Sequence, residues 1–195
     1  IQGIIGIGRD IAERKQRIQL LQRQEEAFRK LHQTASTTAP FEEKVADVLD
    51  FGRRYMNVEQ GFLTRFDDGT QEIIVGVGPN DQLSEGATAP FSESYCRHTV
   101  ELDPETPLTV TNAAAEGWKD DPAYERFGLA CYAGSTIIVD GETIGTICFA
   151  DRNPQDQEFN EIQETFIELV TEWVSYELER AEREQKYRRL TERIS

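Results

Sequence analysis

Apolar residues recur at helical spacing in three long segments of the chain, which cover residues 10–36, 41–56 and 158–194. In the first segment, four apolar residues fall on the a and d positions of a seven-residue repeat: Ile11, Ile18, Leu21 and Phe28. Glu25 and His32 occupy other a positions and make this seam imperfect. An amphipathic helix of this length must bury its apolar stripe, so a second copy of the chain is its predicted partner.

The last helical segment has an apolar face that changes width along its length. Its first part carries a broad set of apolar residues: Ile162, Phe166, Leu169, Val170, Trp173, Val174 and Leu178. In its last part the stripe narrows to Ala181, Tyr187, Leu190 and Ile194. A wide stripe suits packing on a sheet and a narrow one suits a two-helix seam, so this helix is predicted to leave the domain that it packs on.

The middle of the chain carries the β-strand signals. Strands are predicted at 61–66, 72–78 and 107–113, and a hairpin at 131–151 turns at Asp140-Gly141. Residues 79–91 are predicted to be a polar loop. A short helix, capped by Ser92 or Ser94, is predicted to reach about Val100, and a capped helical turn to cover 120–128. Strands between helices, with short helices inserted, predict an α+β fold around a small, mostly antiparallel sheet.

Charge is unevenly distributed along the 195 residues, which carry a formal net charge of −15. Residues 33–179 account for −21, and each end contributes +3. An acidic centre repels phosphates and argues against nucleic-acid binding by this segment. Only 5 of the 21 basic residues are lysine, and an acid-rich, lysine-poor surface predicts a halophilic host whose salt screens the self-repulsion.

The same composition bears on location. The chain has no apolar run near the roughly 20 residues of a membrane helix and opens on no signal peptide. Three widely spaced cysteines without a Cys-x-x-Cys motif argue against a disulfide framework. These observations predict a cytoplasmic protein with reduced thiols, of which residues 1–195 form an interior fragment.

The stretch "SESYCRHTVE" raises the question of catalysis, because Cys96 and His98 lie two residues apart. A Cys-His hydrolase needs the two side chains in contact, and positions two apart on a helix diverge by about 200°. A metal site from Cys96, His98, Cys131 and Cys148 is not excluded by spacing alone, although positions i and i+2 chelate poorly. A small apolar role for buried cysteines is the alternative.

Three stretches resemble known families. "GIIGIGRDIAERKQRIQLLQ" resembles the end of a PAS domain, and "YRRLTERIS" resembles the lead-in to another. Residues 37–180 resemble a GAF domain through "PLTVTNA", "DPAYERFGLACYAGSTIIVDGETIGTICFADRNPQDQEF" and a helix ending "YELERAE". The acidic bias and "WVSYELER" are similar to haloarchaeal sensor proteins, among them histidine kinases and bacterio-opsin-activator-like regulators.

The GAF resemblance implies a PAS-like α+β fold with helices on one face of the sheet. It also implies a non-catalytic module with a pocket over one face, and the predicted ligand-binding residues are Tyr95, Cys96, His98, Asn112, Trp118, Tyr124, Phe127, Tyr132 and Cys148. The alternative is that these aromatic residues fill a small core. No cofactor is predicted: Arg97 separates the cysteine and histidine that are adjacent in bilin-binding relatives, and the Asn-Lys-Phe-Asp-Glu pattern of cyclic-GMP-binding relatives is not found.

The predicted organisation follows from these elements. Residues 1–9 are the last strand of a preceding PAS domain, 10–36 a signalling helix, 37–180 the GAF domain, and 181–195 a coiled-coil linker. Such a chain is predicted to form a homodimer through its N- and C-terminal helices and to signal to an output domain such as a histidine kinase. The alternative is a ligand-free dimerisation module of a bacterio-opsin-activator-like transcriptional regulator.

Overall fold

The computed structural model describes the backbone of residues 2–194 and the side chains of residues 6–189. Two compact units divide the chain, one up to Thr37 and one from Thr38 onwards. Among the described residues, no helix combines the length and the apolar character that crossing a bilayer requires.

The first unit is a single helix, α1 (Gln2–Ala35). The strand predicted for residues 1–9 is therefore wrong over residues 2–9, and Ile1 lies outside the described residues. A strand needs a neighbouring strand to bind its backbone N–H and C=O groups, whereas a helix binds them within itself. The strands of the described sheet pair only with one another, so the helical conformation is the one that satisfies this segment.

The second unit is an α+β domain. Its helices are α2 (Phe41–Tyr55), α3 (Cys96–Thr99), α4 (Pro122–Phe127) and α5 (Glu161–Ile194), and its strands are β1 (Gln60–Asp67), β2 (Thr70–Val77), β3 (Thr88–Pro90), β4 (Leu108–Val110), β5 (Cys131–Val139) and β6 (Glu142–Asp151). The strands form one sheet in the order β3-β2-β1-β6-β5-β4. Every pairing in it is antiparallel, which confirms the predicted fold class.

The predicted hairpin turn at Asp140-Gly141 is confirmed, and a second turn of the same kind joins β1 to β2. Asp140 and Gly141 join β5 to β6 with φ values of 50° and 80°. Asp68 and Gly69 join β1 to β2 with φ values of 43° and 75°. Positive φ at both central residues is the turn geometry whose twist matches that of paired strands, and Asp-Gly is a preferred sequence for it.

Successive residues of β6 show which elements cover each face of the sheet. Phe149 packs against Phe166 of α5, with ring centroids 6.0 Å apart, while the neighbouring Cys148 lies 4.0 Å from Cys96 of α3, sulfur to sulfur. Adjacent strand residues point to opposite faces. The long helices α2 and α5 therefore cover one face, and α3, α4 and their connecting loops cover the other.

Three local predictions differ from the structure. The segment 79–91, predicted to be a loop, contains the edge strand β3. Its polar residues and Pro90 give no strand signal in the sequence. Proline is tolerated at the edge of a sheet because no neighbouring strand needs its missing N–H. Helix α3 begins at Cys96 without a side-chain cap, because the Ser94 hydroxyl donates to the Phe91 carbonyl instead. Helix α5 begins at Glu161, because the Asn160 side chain accepts from the N–H groups of residues 162 and 163.

Candidate functional site

Five of the nine predicted ligand-binding residues lie together under α3 and α4, and we call them the roof cluster: Tyr95, Cys96, Phe127, Tyr132 and Cys148. Each is at most 5% exposed. Tyr132 on β5 and Cys148 on β6 point from the sheet towards α3, and Cys96 on α3 points towards the sheet. The structure thus packs these side chains against one another, in the arrangement that the core interpretation predicts.

Aromatic rings fill the space between α3 and the sheet. The Tyr95 ring lies 5.1 Å from the Tyr132 ring and 5.8 Å from that of Trp118, centroid to centroid. The Tyr95 hydroxyl donates to the Leu129 carbonyl at 3.1 Å. Burial, followed by the nearby Asp121 carboxylate, raises the pKa of Tyr95 well above its ordinary value. Tyr95 is therefore a neutral hydrogen-bond donor that ties α3 to the segment before β5.

Hydroxyl and thiol groups form a buried polar network beside these rings. The Tyr132 hydroxyl lies 2.8 Å from Thr99 Oγ1 and 3.1 Å from Cys148 Sγ. The Thr146 hydroxyl donates to Cys96 Sγ at 3.1 Å. Burial raises the pKa of Cys148 and of Tyr132 well above their ordinary values. Each buried polar atom here has a partner, so the network holds the roof against the sheet at little desolvation cost.

The Cys-His hydrolase and the cysteine-histidine metal site both need Cys96 and His98 to meet, and the structure separates these two side chains. Cys96 Sγ points to Cys148 and Thr146, whereas His98 Nε2 points to Asp121 at the surface. Cys131 precedes Tyr132 on β5 and so faces the side of α2 and α5, where burial raises the pKa of its thiol to about 11. Among the described residues, no group of three or more His, Cys, Asp or Glu side chains is placed to hold a metal ion.

A second group, the rim cluster of Arg97, His98 and Asp121, lies at the edge of the roof. Arg97 Nη2 donates to Asp121 Oδ2 at 2.5 Å, and His98 Nε2 lies 2.9 Å from the same oxygen. Asp121 also caps α4 through the Ala123 N–H at 2.8 Å. Burial by itself raises the pKa of the Asp121 carboxyl, but the hydrogen bonds from His98, Ala123 and Arg97 outweigh it and lower that pKa. The rim cluster therefore fastens α3 to the start of α4.

The remaining predicted residues lie around these two clusters. The His98 ring meets that of Trp118 edge-on at 4.8 Å. Trp118 and Tyr124 are half-buried and pack against the roof. Asn112 lies in the turn after β4, where its Oδ1 accepts the Ala115 N–H at 3.1 Å. Asp121 was not predicted as a site residue, although its place before Pro122 at the start of a helical turn was the available signal.

A cavity of about 250 Å³ opens where β1 and β6 meet the segment after β2. We call it the strand-end cavity, and its lining residues are Glu59, Gln60, Pro79, Asn80, Leu129, Ala150, Asp151 and Arg152. None of the nine predicted residues lines it. Its walls come from four separate parts of the chain, so no local sequence motif predicts the cavity.

The rim cluster predicts a pH-dependent stability. The Asp121 carboxyl has a lowered pKa in the folded state, so its contribution is present above the unfolded pKa of about 3.9 and is lost as pH falls through the folded pKa. We expect Asp121→Asn to reduce the free energy of unfolding by about 1–3 kcal/mol at pH 7, and the difference from the unmodified chain to shrink towards pH 3. Urea unfolding across this range measures it.

Asp120→Asn is the matched control, because it removes one carboxylate at the exposed neighbouring position. We expect this variant to follow the pH profile of the unmodified chain within about 0.5 kcal/mol. A constant difference between Asp121→Asn and the unmodified chain from pH 7 to pH 3 would contradict the electrostatic role of Asp121.

Comparison with known proteins places these features in a family. The family model described as the GAF domain matches residues 40–178. The comparison with curated proteins finds no match. Among solved structures, the GAF domain of a phosphoenolpyruvate-protein phosphotransferase from Coxiella burnetii is similar with a TM-score of 0.68 and 18% identity, over 85% of this chain and 98% of that one.

Two further solved structures share the fold. The phycocyanobilin-bound GAF domain of a cyanobacterial phytochrome has a TM-score of 0.65 and 10% identity, over 83% of this chain and 96% of that one. A domain attributed to a two-component sensor histidine kinase of Sinorhizobium meliloti has a TM-score of 0.56 and 17% identity, over 78% and 99%. The match of the family model to most of the second unit, together with these shared folds, shows that the chain belongs to the GAF domain family, whose members are regulatory sensor modules of signalling proteins.

Proposed function

We propose that this chain is a homodimeric signalling module that passes conformational change through its flanking helices to an output domain, such as a histidine kinase. The observation that carries the proposal is a row of exposed apolar side chains along α1. Ile11, Ile18, Leu21 and Phe28 are 49–58% exposed, and Ile7, at a further d position, is 64% exposed. Five large apolar side chains in one seam are costly to leave in water.

A second copy of the chain is the partner that this seam fits. Five of the seven a and d positions from Ile7 to Phe28 are apolar, with Arg14 and Glu25 at the other two, and a parallel pairing brings each of them against its own equivalent. The apolar residues of the seam then bury one another along the helix axis. The side chains between them are mostly charged or amide-bearing, which suits the solvated flanks of a two-helix coil.

Helix α5 offers a rigid path out of the domain. Phe166, Val170 and Val174 are fully buried in the domain, while Tyr187 is 69% exposed. The helix has 34 residues and so spans about 50 Å without a break. A shift of the sheet under the first half of α5 therefore also moves its second half. An output domain of the kinase type that follows α5 would receive the conformational change through this movement.

The packed roof cluster supports conformational relay rather than a ligand held between α3 and the sheet. Tyr95 and Tyr132 occupy that space with their own rings and hydroxyl partners. A kinase output is supported by the shared fold of the sensor histidine kinase domain from Sinorhizobium meliloti. A high-salt environment is supported by the net charge of −15, so the experiments below use molar potassium chloride.

Leu21→Glu tests the dimer. The substitution replaces Leu21 in both copies of the chain, which removes about 3–6 kcal/mol of stabilisation by apolar burial. It also places two glutamate side chains opposite each other in the seam. We expect the dissociation constant, measured by sedimentation equilibrium, to rise more than about 100-fold. The unmodified chain is expected to sediment as a dimer.

Leu20→Glu is the matched control, since it makes the same change at a c position outside the seam. We expect it to change the dissociation constant by less than about tenfold. A monomeric unmodified chain at high protein concentration would overturn the proposal, and so would equal effects of the two variants.

A further inference from the structure

Hydrogen bonds fix the position of Asn80 in the wall of the strand-end cavity. Asn80 is 5% exposed, and its backbone N–H donates to Gln60 Oε1 at 3.1 Å. Its side-chain Oδ1 accepts the Gln82 N–H at 3.1 Å and starts a 3-10 turn. The first contact holds the backbone of Asn80 at the cavity wall, and the second holds its side-chain amide in one orientation, because the flipped amide would lose the bond to Gln82.

The other end of that amide has no protein partner. Asn80 Nδ2 is buried and makes no hydrogen bond among the described residues. Buried donors are almost always paired, because an unpaired one loses its bonds to water without compensation. An N–H₂ group without a protein partner, in a residue that lines a cavity, is available to donate to a water molecule or to an acceptor group of a ligand.

Close packing of the backbone keeps this wall in place. Gly78 has a φ of 135°, and a Cβ added there would lie 2.3 Å from Gln60 Oε1. Gln60 Nε2 donates in turn to the Leu83 carbonyl at 3.4 Å. The segment after β2 therefore lies directly on the start of β1, and the position of Asn80 is set before any ligand arrives.

Charges of both signs line the rest of the cavity. Asp151 is 7% exposed, and its carboxylate accepts the N–H of Glu59 at 3.0 Å and both the N–H and the side-chain amide of Asn153 at 2.8 Å and 3.1 Å. The Glu59 side chain and the Arg152 guanidinium are exposed at the opening. Leu129 supplies part of an apolar wall. A ligand that carries only one charge meets repulsion from one of these groups.

We propose that the strand-end cavity binds a small zwitterion, an α-amino acid with a short apolar side chain. Its carboxylate accepts from Asn80 Nδ2 and Arg152, its ammonium group donates to Asp151 and Glu59, and its side chain contacts Leu129. The volume of about 250 Å³ suits a ligand of this size, since pockets for drug-sized molecules run from about 300 to 1,000 Å³. This site goes beyond the helical relay and does not depend on the dimer.

Nuclear magnetic resonance of the ¹⁵N-labelled full chain tests the proposal with glycine, L-alanine and L-valine as probes. We expect at least one of them to shift, saturably, the Asn80 side-chain amide signals and the backbone signals of residues 59–60, 79–80 and 150–152. Propionate and ethylamine, which carry one charge each, are expected to bind at least tenfold more weakly. Absence of saturable shifts with all three amino acids would overturn the inference, and so would equal binding of either single-charge probe.

Two variants assign the contacts. Asn80→Asp keeps the acceptor for the Gln82 N–H and replaces the N–H₂ donor with a negatively charged oxygen, which repels the ligand carboxylate, and we expect at least tenfold weaker binding. Arg152→Gln changes an exposed side chain and is expected to weaken binding to a similar degree while the chain stays folded. Arg23→Gln on α1 is the control, because Arg23 is exposed at an f position outside the seam, and it is expected to leave binding unchanged.

Binding that both Asn80→Asp and Arg152→Gln leave intact would overturn the assignment of the site, with thermal unfolding of each variant confirming its fold. Sedimentation of the same samples separates this inference from the proposed function. A monomer that binds the amino acid supports the cavity and contradicts the dimer, and a dimer that binds none of the three does the reverse.

Discussion

Replacing Phe166 by alanine is expected to lower the free energy of unfolding by about 3–5 kcal/mol. Phe166 is 1% exposed and is the residue of α5 on which three other rings converge. Its ring lies 5.9 Å from that of Phe51, 4.8 Å from that of Tyr55 and 6.0 Å from that of Phe149. Alanine leaves a void among rings that belong to two other elements, α2 and β6, and such a void collapses poorly.

Urea unfolding measures this loss, and amide hydrogen exchange locates it. We expect exchange to accelerate most in the first half of α5, because Phe166 anchors that half to α2 and to β6. Tyr176→Ala is the control on the same helix, since Tyr176 is 56% exposed, and its effect is expected within about 0.5 kcal/mol. A loss below about 1 kcal/mol for Phe166→Ala would contradict the anchoring of α5 through this ring.

The substitution Gly145→Ala is expected to cost about 3 kcal/mol, at the upper end of the usual range for overpacking. A Cβ at Gly145 would lie 1.9 Å from the Thr64 carbonyl oxygen and 2.8 Å from its carbon. The obstacle is backbone of the neighbouring strand, so no side-chain rotation relieves it. The register of β1 shifts between Leu63 and Thr64, and the Thr64 hydroxyl accepts the Thr146 N–H at 2.9 Å. The added methyl group therefore also disturbs the hydrogen bond from the Thr146 N–H to the Thr64 hydroxyl, which takes the place of a backbone hydrogen bond between β1 and β6.

Gly61→Ala is the graded control for Gly145→Ala, because it adds the same methyl group to another buried strand glycine. Its Cβ would lie 3.1 Å from the Leu49 carbonyl oxygen, a contact that a small shift relieves. We expect thermal and urea unfolding to show a clearly smaller loss for Gly61→Ala. Equal losses would mean that the strand backbones near Gly145 move apart freely.

Local patterns in the sequence predicted most of the secondary structure because the signals were themselves local. Asp140-Gly141 specifies its turn through the φ values of two residues, and the stripe of α5 follows from helical periodicity. The missing elements lacked such a signal. Strand β3 exists only because β2 offers it an edge to pair with. Residues 2–9 resemble a strand of another domain but are helical where no strand pairs with them.

The candidate site divides along the same line. Periodicity correctly separated Cys96 from His98, since two residues on one helical turn face different ways. It did not show that Tyr132 fills the space under α3, because that depends on how β5 and α3 approach each other. It gave no sign of Asn80, whose unpaired amide is visible only once its neighbours are in place.

The sequence by itself determined the α+β composition, the hairpins, the long flanking helices and the acidic centre of this protein. These features depend on periodicity, turn residues and charge, which neighbouring residues express directly. Only the tertiary structure decided that the predicted pocket residues form a packed roof, that Asp121 joins α3 to α4, and that a cavity opens beside Asn80. Each of these arises where distant segments meet, and a contact between such segments depends on the geometry of the whole sheet.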